Sequence, residues 1–415
     1  MKRNKCLLSV TTLVVLALGT AVCSCTTGGD GDDEFYAFPD EGGFSTMGDG
    51  KNGPGSSDSP GGNDEMAGVV TAGEWNDLQH WDFWSTLMQK DTLAKTCDYW
   101  SCYTNHRVAV QVSDKSGQPL AGIPVRLVRL DGEKQTVVWE TTTDNHGQAN
   151  CWLSLWQKSE EVETANLRVS VDGRLMEEPP VVSGWNEQAQ PTVNSYVCDT
   201  PATKVSQKAD IAFVVDATGS MADEIGFLKS DLLDILGKAG KRHPEQTMRT
   251  AALFYRDEGD DYLTRHSNFS SNTSTTIDFI QKQRADGGGD YPEAVHTALE
   301  RMLQDLSWDE SARTRLAFLI LDAPAHHQTD VIASLQQSVT ACARQGIRLI
   351  PVAASGVDKN TEFMLRFFAI TTGGTYVFLT NDSGVGNDHI EATVGDYEVE
   401  QLNELMIRLI DYYME

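Results

Sequence analysis

The chain has 415 residues, 40% of them hydrophobic, and a formal net charge of −27 from 33 Lys and Arg against 60 Asp and Glu. That length allows two or three domains with cores of their own. The charge argues against nucleic acid and anionic membrane surfaces as partners, since both are polyanions, and leaves cations, basic proteins or plain solubility as its uses.

The first residues bear on the compartment. Lys2, Arg3 and Lys5 precede an apolar run over residues 7–22, and Val22, Cys23, Ser24 and Cys25 then set small residues before a cysteine. Basic, apolar and small-residue regions in that order read as a secretory signal over residues 1–25, and the run is too short and too near the start for a membrane span. The pattern resembles a bacterial lipoprotein signal. That resemblance implies a lipid on Cys25, and the acids of TTGGDGDDE just behind it resemble the surface-export signals of some Gram-negative lipoproteins. The implied location is the outer membrane, at the cell surface, with the lipid as the only membrane contact. Residues 26–66 are Gly, Asp, Ser and Pro with scattered aromatics, too poor in apolar side chains to fold alone, and are expected to be a flexible tether.

Residues 67–105 form a Trp-rich segment. Trp75, Trp81 and Trp84 are spaced much like one face of a helix, which predicts a stripe packed on the next domain rather than a platform for stacking sugars. Cys97 and Cys102 are close enough in sequence for a small-loop disulfide in an oxidising location. From residue 106 the period becomes two: Val108, Val110 and Val112 alternate with polar residues, DKSGQPLAG makes a turn, and Ile123, Val125 and Leu127 alternate again, which predicts a hairpin. Strand-like runs over 136–142 and 151–156 flank the loop TDNHGQA, and Asp172-Gly173 marks a second hairpin between Leu167 and Met176. A small antiparallel β-sandwich over residues 106–200 is expected. It resembles the carboxypeptidase-regulatory and immunoglobulin-like sandwiches found beside other extracellular domains. Cys151 and Cys198 could pair across it, and four cysteines allow three connectivities among which the sequence does not choose.

Residues 207–415 alternate strands and helices, as a doubly wound α/β domain does. Strands are expected over 211–216, 249–256, 264–269, 315–322, 348–353 and 375–379. Helices are expected over 221–239, 275–284, 292–306, 330–344, 361–371 and 398–414. Cys342, mid-helix, reads as a buried free thiol.

The chemistry concentrates where two apolar runs end in acids. In IAFVVDATGSM, residues i, i+2 and i+4 of an extended segment share a side, so Asp216, Thr218 and Ser220 converge where the strand stops, an oxygen set suited to a hard cation. Asp223 and Glu224 follow in the first turn of a helix, where its dipole favours acids. RLAFLILD is a second buried run, and Asp322 at its end would be costly without a cation or donor. Between them lies the glycine loop GGGDYPE. The three segments in this order resemble the von Willebrand factor type A domain and its metal-ion-dependent adhesion site, over about residues 207–415. The resemblance implies Thr218 and Ser220 as ligands, with Asp216 and Asp322 acting on the ion and the first acid usually through water. Many relatives place a Thr in the glycine loop, where this chain has Gly288, Gly289 and Asp290. Asp290 fits two roles equally, a third carboxylate on the ion or, with Pro292 and Glu293, the cap of the following helix. As a third carboxylate it would make the site less eager for an acidic group from a partner. His326 and His327, and the acidic loop RDEGDDY, are expected to be solvated, the loop lacking the spacing of an EF-hand.

The resemblance implies a binding or adhesion protein, not an enzyme, that uses Mg2+ or Mn2+, with Ca2+ second to them, to engage a protein ligand. No phosphate loop, nucleophile elbow or HExxH motif is present. The alternative is a carbohydrate-binding or polysaccharide-processing accessory protein of the cell envelope, for which a glycan would be the partner.

Overall fold

In the computed structural model the described residues are 67–185, 190–200, 206–289, 291–384 and 389–415, and all belong to one compact unit. Strand β1 (Thr71–Trp75) and helices α1 (Trp81–Met88) and α2 (Asp91–Trp100) come first. Next are β2 (Arg107–Asp114), β3 (Pro124–Asp131), β4 (Lys134–Thr142), β5 (Gln148–Trp152), β6 (Leu167–Val171), β7 (Arg174–Leu175) and β8 (Val193–Cys198). The α/β part holds β9 (Lys208–Asp216), α3 (Ala222–Arg242), β10 (Thr247–Tyr255), β11 (Thr264–Ser270), α4 (Thr273–Gln281), α5 (Val295–Asp305), β12 (Thr314–Leu321) and α6 (Thr329–Gln345). It closes with β13 (Ile347–Ala353), α7 (Lys359–Thr372), β14 (Tyr376–Leu379), β15 (Glu400–Gln401) and α8 (Leu402–Met414). The signal, Cys25 and the tether all lie outside the described residues.

The main sheet runs β11-β10-β9-β12-β13-β14-β1-β15. Its five middle strands are parallel, which explains why β9 and β12 are continuous apolar runs: both faces are covered. Alternate residues go to opposite sides. Ile211, Phe213 and Val215 meet α3 and α8 in one core, while Ala212 and Val214 meet α5, α6 and α7 in the other.

The Trp-rich segment is part of this sheet. β1 pairs antiparallel with β14, Trp75 opposite Tyr376, and so covers what would otherwise be an open edge. Trp75 therefore lies in a strand, not on a helix face with Trp81 and Trp84, and all three are buried. Packing is the observed role, and none presents an open ring face of the kind sugar stacking needs. Asp77 follows β1 and clamps it from behind: Arg366 of α7 donates to Asp77 through Nε at 2.9 Å and Nη2 at 2.6 Å. The same guanidinium reaches Glu362 Oε1 at 3.3 Å and lies over Trp84. Arg366 and Glu362 are fully buried.

Residues 107–198 form two small sheets, β5-β2-β8 and β4-β3-β6-β7, whose inward valines and leucines join the core beneath α6 and α7. Two expectations fail here. β2 and β3 are not a hairpin; they lie in different sheets, because the chain leaves β2 through an Asx turn in which Asp114 accepts from Ser116 and Gln118. Nor is the pairing purely antiparallel, since β2 and β8 run parallel. The hairpin at Asp172-Gly173 is present, both residues having the positive φ that the tight turn needs.

The expected disulfides are absent: Cys97, Cys102, Cys151, Cys198 and Cys342 are buried free thiols. Cys151 pairs with Val108 and Cys198 with Asp114, on opposite sides of β2. Six residues of strand separate them by roughly 20 Å, far beyond disulfide reach. Cys97 instead turns its Sγ to Met88 Sδ at 3.6 Å.

The clamp yields a test of the sheet assignment. Asp77→Ala leaves Arg366 buried without its bidentate partner and should lower stability in chemical denaturation by about 3–5 kcal/mol. A loss below about 1 kcal/mol, in the range of an exposed pair, would mean that this segment is not built into the domain.

Candidate metal site

From β9 the chain crosses to β10 on one side, and β12 lies on the other. The carboxyl ends of β9 and β12 therefore flank the point where strand order reverses, which is where open parallel sheets form a ligand crevice. Asp216 ends β9 and Asp322 follows the last residue of β12.

Asp216 is fully buried. Its Oδ1 accepts from Thr218 twice, from the amide at 2.9 Å and from Oγ1 at 2.8 Å. Having given its proton to Asp216, the Thr218 hydroxyl keeps lone pairs for a cation. Ser220 Oγ lies 3.2 Å from it. Thr218, Ser220 and Asp216 thus meet as the sequence spacing requires, and Asp322 lines the same cleft of about 500 Å³ as Ser220 and the glycine loop.

That loop is tied down by backbone bonds, Gly219 N to Gly287 O at 3.0 Å and Asp286 N to Ala217 O at 3.0 Å. Gly287 and Gly288 both have φ near +70 to +80°, and a Cβ on Gly287 would fall 2.3 Å from Asp260 Oδ1. Only glycine serves there. Asp260 accepts from Gly288 N at 2.9 Å, and Arg256 donates to Ala217 O at 3.1 Å and Arg284 O at 2.9 Å. The acidic loop expected to be solvated is therefore the frame of the site. Its Asp257 pairs with His326 at 2.9 Å, and His327 stacks on Tyr99 with ring centroids 3.6 Å apart, so neither histidine is merely solvated.

Asp290 lies outside the described residues. Helix α5 starts at Val295 with Ala294 at its cap position, so Pro292 and Glu293 are not in its first turn and the capping box fails. Glu293 instead donates its amide to Pro324 O at 2.8 Å and forms a parallel bridge with Ala325. That places its side chain, 3% exposed, in the cleft beside Asp322. The apolar repeat Val295, Ala298, Leu299, Met302 begins after Glu293, a signal for the later start of the helix but not for where the Glu293 side chain lies. Glu224, read as a dipole partner, is buried and accepts from Ser355 N at 3.0 Å, which joins the start of α3 to another loop of the cleft.

The oxygens fit a cation. Among the described residues Asp216 Oδ2, Glu293 Oε2 and Asp322 Oδ1 are buried with no hydrogen-bond partner, and orphaned carboxylate oxygens are what a positive charge would satisfy. Burial and the neighbouring Asp322 push Asp216 up to about 7. Burial, then Asp216, Asp257 and Asp322, push Glu293 up to about 9. Burial raises Asp322 as well, against the Ser220 hydroxyl. Among the described residues no three His, Cys, Asp or Glu side chains close around one point, so an ion here would sit on hydroxyls, with water between it and acids.

Residues 210–362 match the family model described as von Willebrand factor A domain. The chain contains a von Willebrand factor A domain. Domains of this family serve protein interaction or adhesion in general. A protein described as an ariadne-like RING finger protein, R811, of Acanthamoeba polyphaga mimivirus is 35% identical over 121 residues, 29% of this chain and 12% of that one. The alpha-protein kinase vwkA of Dictyostelium discoideum is 32% identical over 127 residues, 30% of this chain and 20% of that one. The match thus spans a fifth or less of either relative. Among solved structures, the conserved hypothetical protein BatB from Bacteroides thetaiotaomicron is 12% identical over 49% of this chain and 98% of its own, with a TM-score of 0.35, too low to bear on the fold.

The raised carboxylates give the A domain a pH signature. A folded-state acid held above its unfolded value of about 4 favours folding at low pH, and that contribution is lost as pH rises through 7 and 9. Without metal, stability should fall between pH 5 and 9. A divalent cation bound by these acids would take the place of the protons, so an upward shift of the thermal midpoint by saturating Mg2+ should grow with pH, and equal shifts at pH 5.5 and 8.5 at constant ionic strength would contradict the cluster.

Proposed function

We propose that this chain is a non-enzymatic binding protein of the bacterial cell surface whose A domain holds Mg2+ or Mn2+ and engages a protein ligand through an oxygen that completes the ion's coordination. One observation carries the reading: two hydroxyls and buried acids with unpartnered oxygens meet at the strand-order reversal. Thr218 and Ser220 would touch the ion, Asp216 and Asp322 would hold it through water, and Asp290 enters on its sequence position alone. The ion would supply a positive charge able to polarise a partner's oxygen. The chain's own residues do the rest: Asp216 orients the Thr218 hydroxyl, and Arg256 and Asp260 fix the loops.

The likeness of residues 106–200 to carboxypeptidase-regulatory sandwiches belongs to the same proposal, as a rigid mount for the A domain. So does the anchor, a lipid on Cys25 followed by a tether that lifts the folded part off the membrane.

Two measurements test this. Mg2+ or Mn2+ should raise the thermal midpoint of the purified protein by mass action, and Asp216→Ala should abolish the shift; a shift that survives both Asp216→Ala and Ser220→Ala would put the ion elsewhere. Cys25→Ser should move the protein from the membrane to the soluble fraction, and unchanged membrane association would overturn the anchor.

A further inference from the structure

The A domain's cleft contains a carboxylate that the expected ligand pattern does not use. We propose that Glu293 faces the cation as a third carboxylate, so that the loaded site is net negative and its open position takes a neutral oxygen, an amide carbonyl or a hydroxyl, rather than a partner's carboxylate. This rests on the reading of the cleft as a cation site.

Glu293 is held in place by the loop that carries Asp322, through its amide bond to Pro324 and the bridge to Ala325. Its head points at Thr218. A Cβ placed on Gly288 would lie 3.1 Å from Glu293 Oε1 and 3.2 Å from Thr218 Cβ, so the carboxylate and the ligand hydroxyl's carbon border one small space. Glu293 Oε2 is buried without a partner among the described residues.

Among the described residues no basic side chain pairs with it. Arg256 gives its guanidinium to backbone carbonyls, with Asp286 at 4.0 Å, and His326 is engaged by Asp257. Three buried acids around one cleft therefore either keep their protons or take charge from outside. A divalent ion against Asp216, Asp322 and Glu293 leaves these groups together at minus one, before any charge that Asp290 would add, and the Thr218 and Ser220 hydroxyls add none. A fourth carboxylate would meet repulsion at short range in a partly desolvated cleft, which a neutral oxygen does not.

The test uses Mn2+ as the metal and acetate and acetamide as ligand probes. Calorimetry with Mn2+ should show affinity falling about tenfold or more in Glu293→Gln, because one of three charges is removed. Paramagnetic broadening of the probe methyl protons by the Mn2+-loaded protein should favour acetamide in the parent and acetate in Glu293→Gln. Glu293→Asp keeps the charge and should keep the preference for acetamide, which guards against a folding effect of Gln. Unchanged Mn2+ affinity in Glu293→Gln, while Asp216→Asn abolishes binding, would overturn the role of Glu293 alone. Preference of the parent for acetate would overturn the ligand class. A parent that binds no Mn2+, or binds it equally well in Asp216→Asn, would overturn this inference together with the cation site beneath it.

Discussion

Negative charge gathered at the carboxyl end of a buried parallel sheet is the constraint on which the rest of the site depends. β9 and β12 run apolar towards their carboxyl ends because both faces are covered, and each then meets an acid that no basic side chain among the described residues pairs with. The surrounding loops are arranged about that problem. Thr218 takes one oxygen of Asp216 through two bonds, and the other oxygen, beside the buried Tyr255, has no hydrogen-bond partner within ordinary distance among the described residues. The glycine loop closes over the turn because Gly287 and Gly288 adopt left-handed backbone and because Asp260 holds the amide of Gly288. Basic side chains near the cleft are engaged elsewhere: Arg256 braces loop carbonyls and His326 is paired with Asp257. The result is a cleft whose acids are pushed towards their protonated forms by burial and by one another, and from which a cation would displace those protons.

The position of that cleft is fixed from the far side of the sheet. β1 completes the edge beside β14, and the buried pair of Asp77 with Arg366 ties it to α7. Arg366 also holds Glu362, which accepts from the amide of Thr393 at 2.7 Å. The segment before the small sheets, α7 and the loop at Thr393 thus share one polar network. The tryptophans that looked like a separate module pack on it, Trp84 against Phe363 and Phe367. A buried network of this kind adds little net stability and fixes one arrangement, because each partner is costly to leave unpaired.

Much of the α/β part was legible from periodicity. The strands ending at Asp216 and Asp322, and the helices over 330–344 and 361–371, fall within two residues of α6 and α7 and of the observed strand ends, because long buried runs and amphipathic repeats carry their own signal. The hidden features depend on pairing between distant segments. Nothing in TAGEW announces a strand inserted between β14 and β15, about 300 residues on, and nothing in the alternation of Val108 to Val112 says that the next strand joins another sheet. Cysteine spacing misled for the same reason: Cys151 and Cys198 flank one strand but at opposite ends of it. Within the site, Asp216, Thr218 and Ser220 were readable because their convergence is local. Glu293 was not, since the side chain reaches the cleft only through its bridge to the loop after β12.

The most direct measurement is the anomalous scattering of manganese in crystals of the protein grown with that ion. The account predicts one strong peak in the cleft between Thr218 and Ser220 on one side and Asp322 and Glu293 on the other. A well-ordered crystal with full manganese occupancy elsewhere and no peak in that cleft would contradict it.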